Sequence, residues 1–453
     1  MKYRTEKDAL GPVKVSVDAL YGAQTQRASE NFRISGLRLQ DHFIKALAII
    51  KKQAAVVNAE LGLIEKKVSG LIIAAADEVI EGKHNDQFIV DVFQTGSGTS
   101  TNMNMNEVIA GRANEIHSGR RGSKQPVHPN DHVNLCQSSN DVIPSAINIS
   151  VLSMVDKMLV PALEKLKLSL SAKALEFADV QKLGRTHLQD AVVMTMGQEF
   201  SGYAFQLEKD ILRLMETRKY LLELSLGGTA VGTGINAHPE FAAKVIPNIA
   251  AETGLDFRET KNHFASQASQ DDSLALSGVL RTIAVNMAKI ANDIRWLSSG
   301  PRAGLGEIRL PALQPGSSIM PGKVNPVIPE SVLQVAAHVT GNDAAVTAAA
   351  GGGNFELNTM LPLIAYNLIQ SVEILSGAAE AFAGKCVDGI GVNREKCRMN
   401  VENSLDIAVK LIPYIGYDRA SEISKQAYEQ NLTVRQVVEE RQILSEEQMR
   451  EVF

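Results

Sequence analysis

Apolar positions in this chain recur at steps of three and four over long stretches, a spacing that predicts helices. From His42 to Gly62 they fall at Phe43, Leu47, Ile50, Ala54, Val57 and Leu61, and Lys66–Glu81 repeats the pattern. Between Ser273 and Ser299 they run Leu276, Leu280, Ile283, Met287, Ile290, Ile294 and Leu297. That is one continuous face of a helix roughly 40 Å long at 1.5 Å per residue. Similar stretches fit Ile149–Phe177, Gly197–Leu224, Pro329–Ala350 and Leu361–Gly384. Five long helices of matched length predict an all-α fold built on a central bundle. Their stripes are wider than the seam of a coiled coil. Prolines are missing from Ala162 to His238 and again from Asn248 to Gly300, as such helices require.

The periodicity fails in several places. Residues 1–45 read as irregular and turn-rich, with Gly11-Pro12 and a polar run around Arg27–Asn31. The stretch Thr95–Asn106 is dense in Thr, Ser and Asn, which are poor helix fillers. It reads either as a solvated loop or N-cap feeding a helix over Glu107–Ile116, or as a set of neutral hydrogen-bond donors. Arg120–Asn134 is a basic-then-polar loop. Ser299–Pro326 carries four prolines and five glycines before Lys323 and predicts a long loop, which inside a compact domain is functional or disordered. After Asp388 the helical pieces shorten and read as a small separate domain. The expected division is therefore 1–136, 137–388 and 389–453.

Composition narrows the class. Of 453 residues, 45% are hydrophobic and only 5% aromatic, which suits helices packed by aliphatic side chains. A net charge of −5 leaves no basic footprint for nucleic acid. Cys136, Cys386 and Cys397 are too few and too scattered for a disulfide framework, and no Cys/His cluster has metal-ligand spacing. No uninterrupted apolar run reaches membrane-spanning length, and the charged start MKYRTEKD has no apolar signal core. The expected location is the cytoplasm, with no nucleic-acid or membrane partner.

Four polar clusters could carry chemistry. Gly316-Ser317-Ser318-Ile319-Met320-Pro321-Gly322-Lys323-Val324-Asn325-Pro326 offers hydroxyls, one ammonium, one amide and glycine-freed backbone amides. Such groups hold and polarise a carboxylate, although a mobile surface loop is the plainer reading. It is not a phosphate loop, because Val324 follows the lysine and no strand precedes it. Thr95–Asn106 is the second cluster. Gln137-Ser138-Ser139-Asn140-Asp141 opens a helix, where free amides attract anions, and an N-cap alone explains only one of its polar residues. Gly184-Arg185-Thr186-His187-Leu188-Gln189-Asp190 places a histidine among Arg, Thr and Asp, either structural or an acid/base group. Together these suit a small dianionic acid and proton-transfer chemistry without metal ligands.

GSSIMPGKVNP closely resembles the signature of the fumarase/aspartase superfamily, and the other three clusters match it in order and spacing. The likeness runs from YGAQTQRASENF to IGYDRASEI and so covers almost the whole chain. GSGTS, QSSND, GRTHLQDA, LGGTAVGTG, IANDIRW and GNFELN look like class II fumarase forms. Aspartases resemble them but tend to differ at Ser139, at Gly227-Gly228-Thr229 and at Asn354-Phe355.

The resemblance implies a three-domain fumarase/aspartase-like fold with a central bundle of five long helices. It implies reversible hydration of fumarate to L-malate by anti addition through an aci-carboxylate, in the tricarboxylic acid cycle. Neither cofactor nor metal is implied. Ser317 would be the base, His187 with Glu330 would handle the water or leaving hydroxyl, and Ser318, Lys323 and Asn325 would hold the aci-carboxylate. Ser97, Thr99, Ser138, Ser139, Asn140 and Thr186 would bind the rest of the substrate. A second anion site would use His128, Asn130 and Asp131, but Gln125 stands at the family's arginine place and His132 at its usual aspartate. The resemblance also implies a homotetramer with each active site shared among three subunits. The same fold and serine serve aspartate ammonia-lyase, the alternative activity. A non-catalytic helical scaffold predicts loss of the chemical residues, all of which are present.

Overall fold

The computed structural model describes residues 2–453. They are predominantly helical, and among them strands occur only as two-stranded pairs. The chain divides into two compact units. The first comprises Met1–Pro161, Asp210–Ala284 and Val335–Ser376, and the second Ala162–Lys209, Val285–Gln334 and Gly377–Phe453.

The predicted long helices are present. Helices span Asp41–Glu60 and Lys66–Ile80, matching the first two periodic stretches. Asp271–Leu297, Val327–Ala350 and Leu361–Lys385 match three of the five bundle helices. Every apolar position read from Leu276 to Leu297 is buried. The Ile149–Phe177 stretch lies within a longer run: Ser139–Met154, one wide π turn at Val155–Leu159, then Val160–Glu176. Gly197–Leu224 is shorter than expected, because Met196–Thr217 is α-helix and a 3-10 turn and a two-residue strand complete it.

Two expectations are corrected. Residues 1–45 are not irregular: Tyr3–Asp8 and Gly11–Ser16 pair antiparallel, and Ala23–Asn31 is a helix. The hairpin is polar, so alternation in hydrophobicity is faint. Its anchor is Arg4, whose guanidinium donates to the carbonyls of Ser16, Ala19 and Tyr21 at 2.7–2.8 Å. Thr95–Asn106 is not a solvated loop either. A helix runs over Thr99–Ser118, and Asn102, Asn104 and Asn106 are buried within it. Tertiary hydrogen bonds to these amides override their low helix propensity.

In the first unit, Asp41–Glu60 packs against Lys66–Ile80, Ser139–Met154 and Phe241–Thr253 around Phe43, Leu47, Ile50 and Val57. In the second, the hairpin Gln181–Thr186/Gln189–Thr195 packs on the helix Arg394–Asn403. Residues 407–452 bury their own cluster, including Leu411, Ile423, Val434 and Val437. Two helical runs, Ser139–Glu176 and Asp271–Leu297, are long and apolar enough to cross a membrane by length and composition alone, yet 61% and 44% of their most apolar windows are already buried inside the fold.

Candidate active site

The first unit brings together the Thr95–Asn106 and Gln137–Asp141 clusters. Gly98, at φ 74°, turns the chain into the Thr99–Ser118 helix, and the Ser97 and Thr99 hydroxyls lie 2.8 Å apart. Gly96 sits so close to the backbone that a Cβ there would stand 1.7 Å from the Thr359 carbonyl oxygen. Ser138 caps the next helix: its Oγ accepts from Asn140 N, while its own N–H donates to Asp141 Oδ1 at 2.9 Å. Ser139 Oγ accepts from Asn102 Nδ2 at 3.1 Å, and Asn140 Nδ2 donates to Ala230 O at 2.7 Å.

Two buried charges lie behind this surface. Asp141 accepts from Ser138, Gly227 and Thr229 N–H groups, and burial pushes its carboxyl up to about 6 against those bonds. Lys51 is fully buried, and among the described residues its Nζ donates to amide oxygens alone, Asn134 Oδ1 at 3.0 Å and Gln137 Oε1 at 2.9 Å. Burial pulls the ammonium down to about 7, with the Asp141 carboxylate opposing.

The second unit holds the signature loop. Asn325 Nδ2 donates to Gly316 O at 2.7 Å and Gly316 N to Lys323 O at 2.8 Å, so the loop closes on itself. Within it, Ser317 Oγ accepts from Ile319 N at 3.2 Å and Met320 N at 3.1 Å. Ser317 is half-buried, whereas Ser318 and Lys323 are exposed. Lys323, Asn325 and Glu330 line a cavity of about 560 Å³ with Arg295 and Trp296.

Thr186 and His187 stand on a different element of that unit, the hairpin turn between Thr186 and Gln189. His187 and Leu188 both have positive φ, 57° and 61°, as a tight hairpin turn demands. Neither is glycine or asparagine, so the turn costs conformational energy, a pattern common where a side chain must be presented. Beneath it, buried Glu307 accepts both Arg185 terminal nitrogens, at 2.6 and 3.1 Å, and Asn400 Nδ2 at 2.9 Å. Lys182 bridges Glu199 at 2.6 Å and Glu307 at 3.5 Å. Burial alone would raise the Glu307 carboxyl, but Arg185 and Lys182 outweigh it and hold it below its ordinary value.

The second anion cluster lies in the first unit. His128 Nδ1 accepts from Asn130 N and Asp131 N at 3.2 and 3.1 Å. His128 and Asn130 line a cavity of about 550 Å³ with Lys7 and Lys124 and also with Glu6 and Asp8, so the two lysines there are offset by two carboxylates. Burial lowers the His128 pKa, and Lys124 adds to that against Asp131. Among the described residues, no group of three or more His, Cys, Asp or Glu is placed to hold a metal ion.

Residues 11–341 match a Lyase family and residues 407–453 match the Fumarase C C-terminus. A curated fumarate hydratase class II from Nitrosomonas europaea is 51% identical over 96% of this chain and 94% of its own. The chain belongs to the class II fumarate hydratase family. Another such relative, from Neisseria meningitidis, is 48% identical over 100% of this chain and 98% of its own. The class II fumarase structure from Schistosoma mansoni superposes with a TM-score of 0.96 at 40% identity, covering 100% and 98% of the two chains. The class II fumarase fold is thus the all-α architecture expected from the periodicity. Sequence reading missed Lys51, Asn134 and Glu307. Lys51 was detectable, since it lies four residues after Leu47 and three before Ala54 on an apolar stripe.

Proposed function

We propose that the chain hydrates fumarate to L-malate and catalyses the reverse reaction, with Ser317 as the base. The observation that carries this is the pair of amides already donating to Ser317 Oγ inside a loop that also holds Lys323 and Asn325. An ordinary serine is too weak an acid to serve as a base. Two N–H donors and a nearby ammonium favour its alkoxide.

Starting from malate, the Ser317 alkoxide takes the C3 proton and the electron pair passes into the adjacent carboxylate as an aci-carboxylate. Ser318, Lys323 and Asn325 stabilise that charge where it accumulates. The C2–oxygen bond then breaks, and hydroxide leaves as water with a proton from His187, which Glu330 supports. Ser97, Thr99, Ser138, Ser139, Asn140 and Thr186 hold the carboxylates and hydroxyl. His128, Asn130 and Asp131 form the auxiliary anion site.

The active site is shared among three chains of a homotetramer. Supporting this, the long helices leave large apolar side chains exposed, among them Phe205, Leu212, Val285 and Trp296, which association would bury. The division into 1–136, 137–388 and 389–453 is retained as the domain reading, supported at its last boundary by the separate apolar cluster of residues 407–452.

A substrate panel of malate, aspartate and argininosuccinate, followed by ultraviolet absorbance of fumarate, tests the reading. Malate is expected to be the fastest substrate. Faster fumarate release from aspartate assigns aspartate ammonia-lyase instead.

A further inference from the structure

We propose that Lys51 is a positioning residue for the substrate-carboxylate pocket: its buried ammonium fixes the Asn134 and Gln137 amides, and through Asn102 the Ser139 hydroxyl, in the orientation that presents donors to an anion. The inference rests on the proposed function of the Ser138–Asn140 segment.

The geometry is specific. Asn134 Oδ1 accepts from three donors at once: Lys51 Nζ at 3.0 Å, Asn102 Nδ2 at 3.1 Å and Asn106 Nδ2 at 3.1 Å. The second Asn102 contact reaches Ser139 Oγ at 3.1 Å. Lys51 also donates to Gln137 Oε1, one residue before Ser138. One cation therefore sets the direction of two amide groups that flank the proposed contact residues. The Asn102 and Asn106 oxygens are buried without a partner among the described residues, so this network is held for what it orients and not for its own completeness.

Stability does not explain the lysine. A buried ammonium bonded only to neutral oxygens forfeits its hydration without a contacting counter-ion. It also lies behind the N-terminus of the Ser139–Met154 helix, where a cation opposes the helix dipole and an anion is favoured. Asp141 is the compensating charge within the chain. An incoming carboxylate would add a second.

The test is Lys51→Met in the full-length enzyme, with thermal midpoint, kcat and KM measured for malate and fumarate. Removing the ammonium strands the Gln137 acceptor and leaves buried Asp141 without its compensating charge, so the midpoint is expected to fall. KM is expected to rise about ten- to hundredfold, the scale of a hydrogen bond to a charged group, with a smaller change in kcat. A purely structural lysine lowers the midpoint with KM unchanged, and that unchanged KM overturns the proposal. Lys51→Gln is the second variant, and if neither folds, Lys51 belongs to stability and the proposal falls. Wild-type enzyme that does not turn over malate or fumarate refutes the proposed function itself, whereas active wild type with an unchanged KM in both variants refutes only the role of Lys51.

Discussion

Removing the Glu307 carboxylate should loosen the hairpin that carries Thr186 and His187. Lys182, Arg185, Glu199 and Glu307 form a net-neutral cluster in which Lys182 and Glu307 are buried and Arg185 and Glu199 partly so, and Glu307→Ala leaves it with one excess positive charge. Lys182 keeps Glu199 at 2.6 Å, but the nearest remaining partner of Arg185 is Asp190 at 3.9 Å, half exposed. Stranding a buried charge in this way costs about 3–5 kcal/mol, and Asn400 loses an acceptor as well. Hydrogen exchange of the Gln181–Thr195 amides, read beside the denaturation midpoint, locates the loss. Exchange there should quicken while the amides of the Asp41–Glu60 helix stay protected. The pH dependence has a definite sign. The folded carboxyl is held below its ordinary value, so its contribution is fully present above about 4.3 and is lost as pH falls through the lower folded value. The wild type should therefore show an acid-labile component that the variant lacks. Exchange rates and midpoint matching the wild type, with the same acid profile, would refute the idea that this cluster holds the hairpin.

Other outcomes follow from the same structure. Gly96→Ala drives a methyl into the Thr359 carbonyl and must shift the segment bearing Ser97 and Thr99; displacement near 1 Å costs about a hundredfold in kcat/KM, checked by steady-state kinetics. Burial raises all three thiols, Cys386 to about 12 and Cys397 to about 11, so none should react with a thiol reagent at pH 8 until the chain is denatured. Leu188→Gly removes a left-handed leucine that costs about 1–2 kcal/mol, and should leave the hairpin at least as resistant to exchange. A hairpin made less stable by that glycine would show that Leu188 contributes by packing.

The long helices were legible because a stripe of aliphatic residues with period 3.6 has one physical reading over 20 or more positions. Thr99–Ser118 was illegible at its start for the converse reason. Asn102 and Asn106 disfavour helix locally, and the bonds they donate to Asn134, which reverse the preference, reach 28 or more residues along the chain. The Tyr3–Ser16 hairpin was hidden in the same manner, since Arg4 and carbonyls hold it together more than alternating side chains do. At the site, Ser317, Lys323 and Asn325 declared themselves by lying in one glycine-rich loop. Glu307 did not, because its partners Arg185 and Asn400 are 122 and 93 residues distant.

The two amides on Ser317 Oγ make the residue a keystone of its own loop. Exchange it for alanine and the Ile319 and Met320 N–H groups lose the oxygen that folds the turn, so the loop's shape and the proposed proton abstraction vanish in one stroke. Threonine keeps that oxygen while crowding the turn with a methyl group. The threonine hydroxyl can serve both duties and the alanine methyl neither, so the threonine enzyme shows whether the turn tolerates a methyl while its oxygen stays in place.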